Sequence, residues 1–238
     1  MGRTLDDARR WAREGTKLAR DAVAGQTEES FLGGTDLPGL NRKHMVAHLA
    51  ANADAVGNLV RWAATGQPSP MYGSPEQRAA DIEAGAGKTG AELIAWFDRS
   101  AGALESAMAD LSDAQWRAEV VTAQGRAVPA TETAWLRARE VMVHAVDLRT
   151  GLTFADLPTD FLVALVDDIV AKRGGAANGP ALTVAPTDHD SRWLVTGTGS
   201  PTTVTGTLAC LTAYLAGRGA DGVTTAGKDA APQLPAWL

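Results

Sequence analysis

The chain has 238 residues, of which 45% are hydrophobic and 21% charged, with a formal net charge of −6. This is the composition of a folded globular protein with room for two modest domains. It lacks the basic footprint of a nucleic-acid binder, and no apolar run approaches the ~20 residues that span a bilayer.

The opening residues, MGRTLDDARRWAREG, are charged and helical in pattern rather than secretory. Asp6 stands where a myristoylation signal needs Ser or Thr, so the cytoplasm is the expected compartment. Residues 4–25 read as an amphipathic helix with Leu5, Ala8, Trp11, Ala12, Leu18, Ala19 and Val23 on one side. Gly33-Gly34 and Pro38-Gly39 mark a loop, and a second helix is expected over residues 41–65. Its apolar face carries Met45, Leu49, Val56, Leu59 and Val60, with His48 and Asn52 at the edge and His44 nearer solvent. Gly66, Pro68 and Pro70 end it. Ser74 and Pro75 read as the cap and first position of a short helix, and a third long helix is expected from about Thr89 to Leu111. VVTAQGRAV predicts a small hairpin around Gln124-Gly125.

Residues 131–148, TETAWLRAREVMVHAVDL, predict a fourth long helix, started by Pro129. Glu140 and His144 are one turn apart, and Asp147, Leu136 and Val143 fall on the same arc. That arc is expected to face the core, where an ionised carboxylate costs several kcal/mol, by rough estimate, unless a positive group pairs with it. If this helix packs beside the second, His48 meets Glu140 and His144. Two imidazoles and a carboxylate with an open position are the donor set of catalytic zinc. Taken separately, the pairs have plainer readings. His44 and His48 have the spacing of HExxH, but Met45 occupies the place of its catalytic Glu. A solvated His pair or a local Glu140–His144 ion pair explains the same spacings. Asp147 or Asn52 can hydrogen-bond the far nitrogen of a ligating His, although a surface or capping role fits Asp147 equally.

After Gly151 the texture changes to one helix over 159–172, then the alternating segments ALTVAP and RWLVTG, then PTTVTGTLACLTAYLAGRG as strand into helix. The expected fold class is α+β, with a four-helix bundle over 1–150 and a small α+β domain over 151–238. Cys210 is the only cysteine; its apolar helical setting reads as a buried structural thiol, with no internal disulfide available. His189 reads as a solvated turn residue, and Arg218, between Gly217 and Gly219, as a helix-end cation also well presented to an anion.

RKHMVAHLAANADAVGNLVRWA, QRAADIEAG, WLRAREVMVHAVDL and YLAGRG, in this order, resemble the mycothiol-dependent maleylpyruvate isomerases of actinobacteria. The resemblance implies a DinB-like zinc-binding bundle and a C-terminal domain similar to sterol carrier proteins. By matching motif it implies His48, Glu140 and His144 as zinc ligands, His44 as a neighbour, and Arg218 as a residue reaching the active site. It also implies the chemistry. A small thiol, mycothiol, adds beside the electron-poor carbons of a cis alkene, rotation follows, and elimination returns the trans product. Zinc holds the sulfur as thiolate, and Arg218, with Arg78, stabilises the enolate charge. Arg78, Asn52 and Asp147 are the residues assigned to the cofactor. A monomer acting on small molecules is expected. The alternatives are a zinc-dependent mycothiol S-transferase with another electrophile, and a non-catalytic binder of an apolar ligand.

Overall fold

The computed structural model describes every residue except Met1, Ala177, Asn178, Lys228, Asp229, Ala236 and Leu238. It divides into two compact units, Arg3–Leu152 and Thr153–Leu238. No described helix is long and apolar enough to cross a membrane.

The first unit is built on four long helices: α1 (Leu5–Val23), α2 (Arg42–Thr65), α4 (Gly90–Ala109) and α6 (Thr131–Asp147). The shorter α3 (Pro75–Ala86) and the single turn α5 (Asp113–Trp116) join them, with a two-stranded antiparallel hairpin of β1 (Glu119–Val121) and β2 (Ala127–Pro129) before α6. Local chemistry starts most of these helices. Thr4 with Asp7, and Thr89 with Glu92, form capping boxes for α1 and α4. Asn41 caps α2, which stops at Gly66 in the left-handed conformation, and Ser74 caps α3 with Pro75 in its first turn.

In packing, α1 lies along α6, α2 lies along α4, and α2 also meets α6 and α3. The α1–α6 approach is close because Gly15 has no side chain. A Cβ there would lie 2.6 Å from Val141 Cγ2 and 2.9 Å from Met142 Cγ. Trp11 and Trp135 meet edge to face across the same seam, at 5.9 Å between centroids. Met45, Leu49, Leu93, Phe97, Val141 and Leu148 belong to one buried cluster. At the C-terminal end of α6, Asp36 N–H donates to Asp147 O (3.0 Å), and Arg42 takes the next two carbonyls. Its Nε donates to Leu148 O (2.7 Å) and its Nη2 to Arg149 O (2.9 Å). Arg149 itself turns left-handed at φ 54° to end the helix.

In the second unit, α7 (Thr159–Ala176) precedes β3 (Pro180–Pro186), β4 (Trp193–Val195), β5 (Thr198–Gly206), α8 (Leu208–Leu215) and β6 (Thr224–Thr225). The sheet order is β4-β3-β5-β6, antiparallel except for the parallel β3–β5 pair. Helices α7 and α8 pack on each other, α7 also on β4, and α8 on β3 and β5. Cys210 departs from its expected burial. It lies in the first turn of α8 and is half-exposed, because the packed side of that turn is held by Leu208 and Leu211.

Candidate metal centre

Helices α2 and α6 run side by side, and this brings His48 to Glu140 and His144. His48 Nε2 is 2.8 Å from Glu140 Oε2, and His144 Nε2 is 3.3 Å from the same oxygen. The two imidazoles stand nearly perpendicular, 5.0 Å apart by centroid. One donor atom from each of the three residues falls within 4.8 Å of the others. Ligands about 2.0–2.2 Å from a tetrahedral zinc stand a little over 3 Å from one another, so small adjustments bring this set around one ion. Two neutral nitrogens and one carboxylate are also the right donor types.

The orientation of α6 differs from the sequence expectation in one respect. Its deepest residues pack toward α1 and α2, and Leu136, Glu140 and His144 form a stripe that is mostly but not fully covered. The Glu140 side chain keeps 22% of its exposure and that of His144 12%. The carboxylate therefore borders an opening rather than the sealed core, as a reactive site requires.

Asp147 is fully buried and accepts a hydrogen bond from His144 Nδ1 at 2.7 Å. That contact fixes the ring and turns Nε2 toward Glu140 and His48. Burial disfavours the charged form of His144, but its contacts with Asp147 and Glu140 outweigh this and raise it to about 9. Burial lowers His48 in spite of Glu140 beside it. For Glu140 burial works upward, yet the hydrogen bonds and charges of His144 and His48 hold it well below the usual carboxylate range.

Of the other sequence candidates, Arg78 lies at the rim, with Nη2 3.4 Å from His48 Nδ1. A guanidinium only donates, so Nδ1 accepts there and Nε2–H donates to Glu140. Asn52 is buried one turn beyond His48, and its Oδ1 accepts from Arg137 Nη1 at 2.9 Å. His44 stands apart from the cluster. Its Nδ1 meets Asn41 Oδ1 at 2.6 Å and its Nε2 meets Glu83 at 3.3 Å. Arg218 belongs to the second unit, where its backbone N–H reaches Ala213 O (2.8 Å) and Nη1 donates to Ala216 O (2.7 Å). Gly217 and Gly219 on either side are both left-handed.

Two residues of the site were not singled out from the sequence. Arg137 is buried to 2% exposure and donates from Nη1 to Leu49 O (2.7 Å) as well as to Asn52. It thereby ties α6 to α2 one turn from the donors and sets their register. Burial lowers it to about 10, so it remains charged at neutral pH. Its position three residues before Glu140 was the available signal. Tyr72 comes from the loop after α2 and lies under Arg78, whose guanidinium is 5.6 Å from its ring centre. Burial raises its hydroxyl. Nothing in a loop sequence marks such a residue.

Known proteins resemble the chain along both units. Residues 11–149 match the family described as mycothiol maleylpyruvate isomerase N-terminal domain, and residues 156–236 match the MDMPI C-terminal domain. Among solved structures, a mycothiol-dependent maleylpyruvate isomerase is 36% identical, with a TM-score of 0.93 over 99% of this chain and 98% of its own. A histidine-to-alanine mutant of such an enzyme matches equally well. No curated protein sequence matches the chain. The chain belongs to the mycothiol-dependent maleylpyruvate isomerase family.

Proposed function

We propose that the protein isomerises maleylpyruvate to fumarylpyruvate, with mycothiol as the thiol. The observation that carries the reading is the meeting of His48 from α2 with Glu140 and His144 from α6 in a largely buried cluster. It gains support from the 36% identity, over 99% of the chain, to a protein known as a mycothiol-dependent maleylpyruvate isomerase.

The donor set fits zinc, which when bound supplies a net positive centre with an open position that keeps a thiol as thiolate. The protein's residues prepare that position. Glu140 enters already ionised, and His48 is neutral near pH 7. Asp147 accepts the Nδ1–H hydrogen bond of His144, so that Nε2 is the nitrogen turned toward the other donors. Mycothiol supplies the sulfur that makes the cis double bond single for long enough to rotate. Among side chains, Cys210 is the only thiol and lies in α8 of the other unit.

For the negative charge that develops on the pyruvyl oxygen, we assign Arg218, on the strength of its motif, and Arg78 at the rim. The same reading puts the enzyme in the cytoplasm as a monomer, with small molecules rather than nucleic acid or membrane as partners. The test is the ultraviolet absorbance of maleylpyruvate with purified protein. Isomerisation that needs mycothiol and tracks zinc content supports the reading, and turnover without any thiol overturns it.

A further inference from the structure

We infer that the cleft between α2 and α3 holds the sugar–cyclitol portion of the thiol, an uncharged polyhydroxyl group. The inference rests on the function proposed above. The cleft has a volume of about 360 Å³ and adjoins the metal centre through Tyr72 and Arg78, which line it. Arg78 also touches His48. Volumes of this order hold small organic ligands. Along α2 its wall runs from Ala51 to Asn58, about 10 Å at helical rise, which is the length of two linked six-membered rings.

The lining suits hydroxyl groups. Asp54 and Asp81 bring carboxylates into it, and each is already oriented by a neighbour. Trp96 Nε1 donates to Asp54 Oδ2 at 3.0 Å, and Gln77 Nε2 donates to Asp81 Oδ1 at 2.7 Å. A carboxylate has about four acceptor sites, so each retains capacity for ligand hydroxyls. Lys88 and Arg78 add donors, and two cations against two carboxylates leave the lining balanced in charge. That balance favours a neutral polyol over the organic diacid, which would meet Asp54 and Asp81 as like charges.

Trp96 adds an apolar ring face for the C–H side of a sugar. Its place depends on Gly85, where a Cβ would lie 2.9 Å from Trp96 Cζ3 and 2.7 Å from Ala47 Cβ. The opposite wall is pinned by Asn58, whose Nδ2 donates to Pro70 O and Met71 O, both at 3.2 Å. A ligand lying here extends along α2, with its sulfur end toward His48.

The probe is the thiol-free pseudodisaccharide with its amine acetylated and so uncharged, N-acetylglucosamine linked to inositol, titrated calorimetrically into zinc-loaded wild type and into Asp54→Asn, Asp81→Asn and Trp96→Phe. Binding to wild type, weakened about tenfold or more in the variants with zinc content and melting temperature unchanged, is the expected result. Absence of binding to wild type, or equal binding in all four proteins, overturns the inference. Binding of maleate in the cleft, lost in the same variants, also overturns it by giving the space to the diacid. The two readings fail separately. Mycothiol-dependent turnover without pseudodisaccharide binding sinks only the cleft, and pseudodisaccharide binding without any isomerisation sinks only the reaction.

Discussion

His144 Nδ1 and Asp147 Oδ2 are 2.7 Å apart at the C-terminal end of α6, one turn beyond Glu140. The aspartate is fully buried, so the bond is shielded from water and the imidazole has one orientation. Asp147→Asn keeps the shape but removes the charge. Zinc affinity is expected to fall about tenfold to a hundredfold. In the metal-free protein the His144 titration should move down from about 9. Competition with a chelator and NMR of the histidine ring read the two effects, and unchanged values in both would make Asp147 a packing residue.

The two histidines of α2 separate the cluster from its surroundings. His48 meets Glu140, whereas His44 is held by Asn41 and Glu83. His48→Ala should lose zinc and turnover together. His44→Ala should keep most of both, at a stability cost of about 1 kcal/mol for the lost hydrogen bonds. Elemental analysis decides it, and equal zinc loss in both variants would point to a His44–His48 pair instead.

Metal binding should depend on pH through one proton. In the metal-free protein His144 titrates at about 9, so below that pH a metal must displace its proton. His48 is lowered and so a neutral imidazole above pH 7, and Glu140 is well lowered and so ionised, which leaves neither with an ionisation to complete before it binds. The apparent affinity should therefore rise about tenfold per pH unit from 7 and level off near 9. A flat profile over that range would show that His144 is already neutral.

How far the sequence could be read follows from the physics of each element. The helices were legible because apolar spacing and Gly/Pro breaks are local signals, with Ser74 and Pro75 marking the start of α3; the caps at Thr4, Asn41 and Thr89 act in the same local way. The Glu140–His144 pair was legible because helical spacing fixes relative direction. What that spacing leaves open is which neighbour covers the arc, so Glu140 was expected deeper than it lies. The parallel β3–β5 pairing skips β4 and depends on contacts distant in the chain. Arg137 was obscured because an arginine in a helix reads as surface until its acceptors, Leu49 O and Asn52, are known.

Two glycines in helix interiors should respond in opposite directions. Gly15→Ala places a methyl against Val141 and Met142, and overpacking of this kind costs about 1–3 kcal/mol. Gly57→Ala, in α2, meets nothing within 4 Å and should stabilise by about 0.5–1 kcal/mol through helix propensity. Denaturant midpoints measure both. A neutral Gly15→Ala would mean that the α1–α6 seam yields.

Arg218 gives the last prediction. Its backbone bond to Ala213 O survives any substitution, and its side chain donates to Ala216 O. Loss of that side-chain bond costs about 1 kcal/mol, a minor shift in melting temperature. As the cation proposed for the enolate it carries far more. A charge-assisted contact made in the transition state contributes about 2–4 kcal/mol, or roughly thirty- to a thousandfold in rate. Arg218→Ala should lose that much in kcat with zinc content unchanged. Arg218→Lys should also be slow, since an ammonium keeps the charge but not the planar fork that grips a carboxylate or enolate. Steady-state kinetics with mycothiol and maleylpyruvate, on folded and zinc-loaded variants, measure the effect. Wild-type turnover in Arg218→Ala would leave Arg218 an ordinary cation at the end of α8.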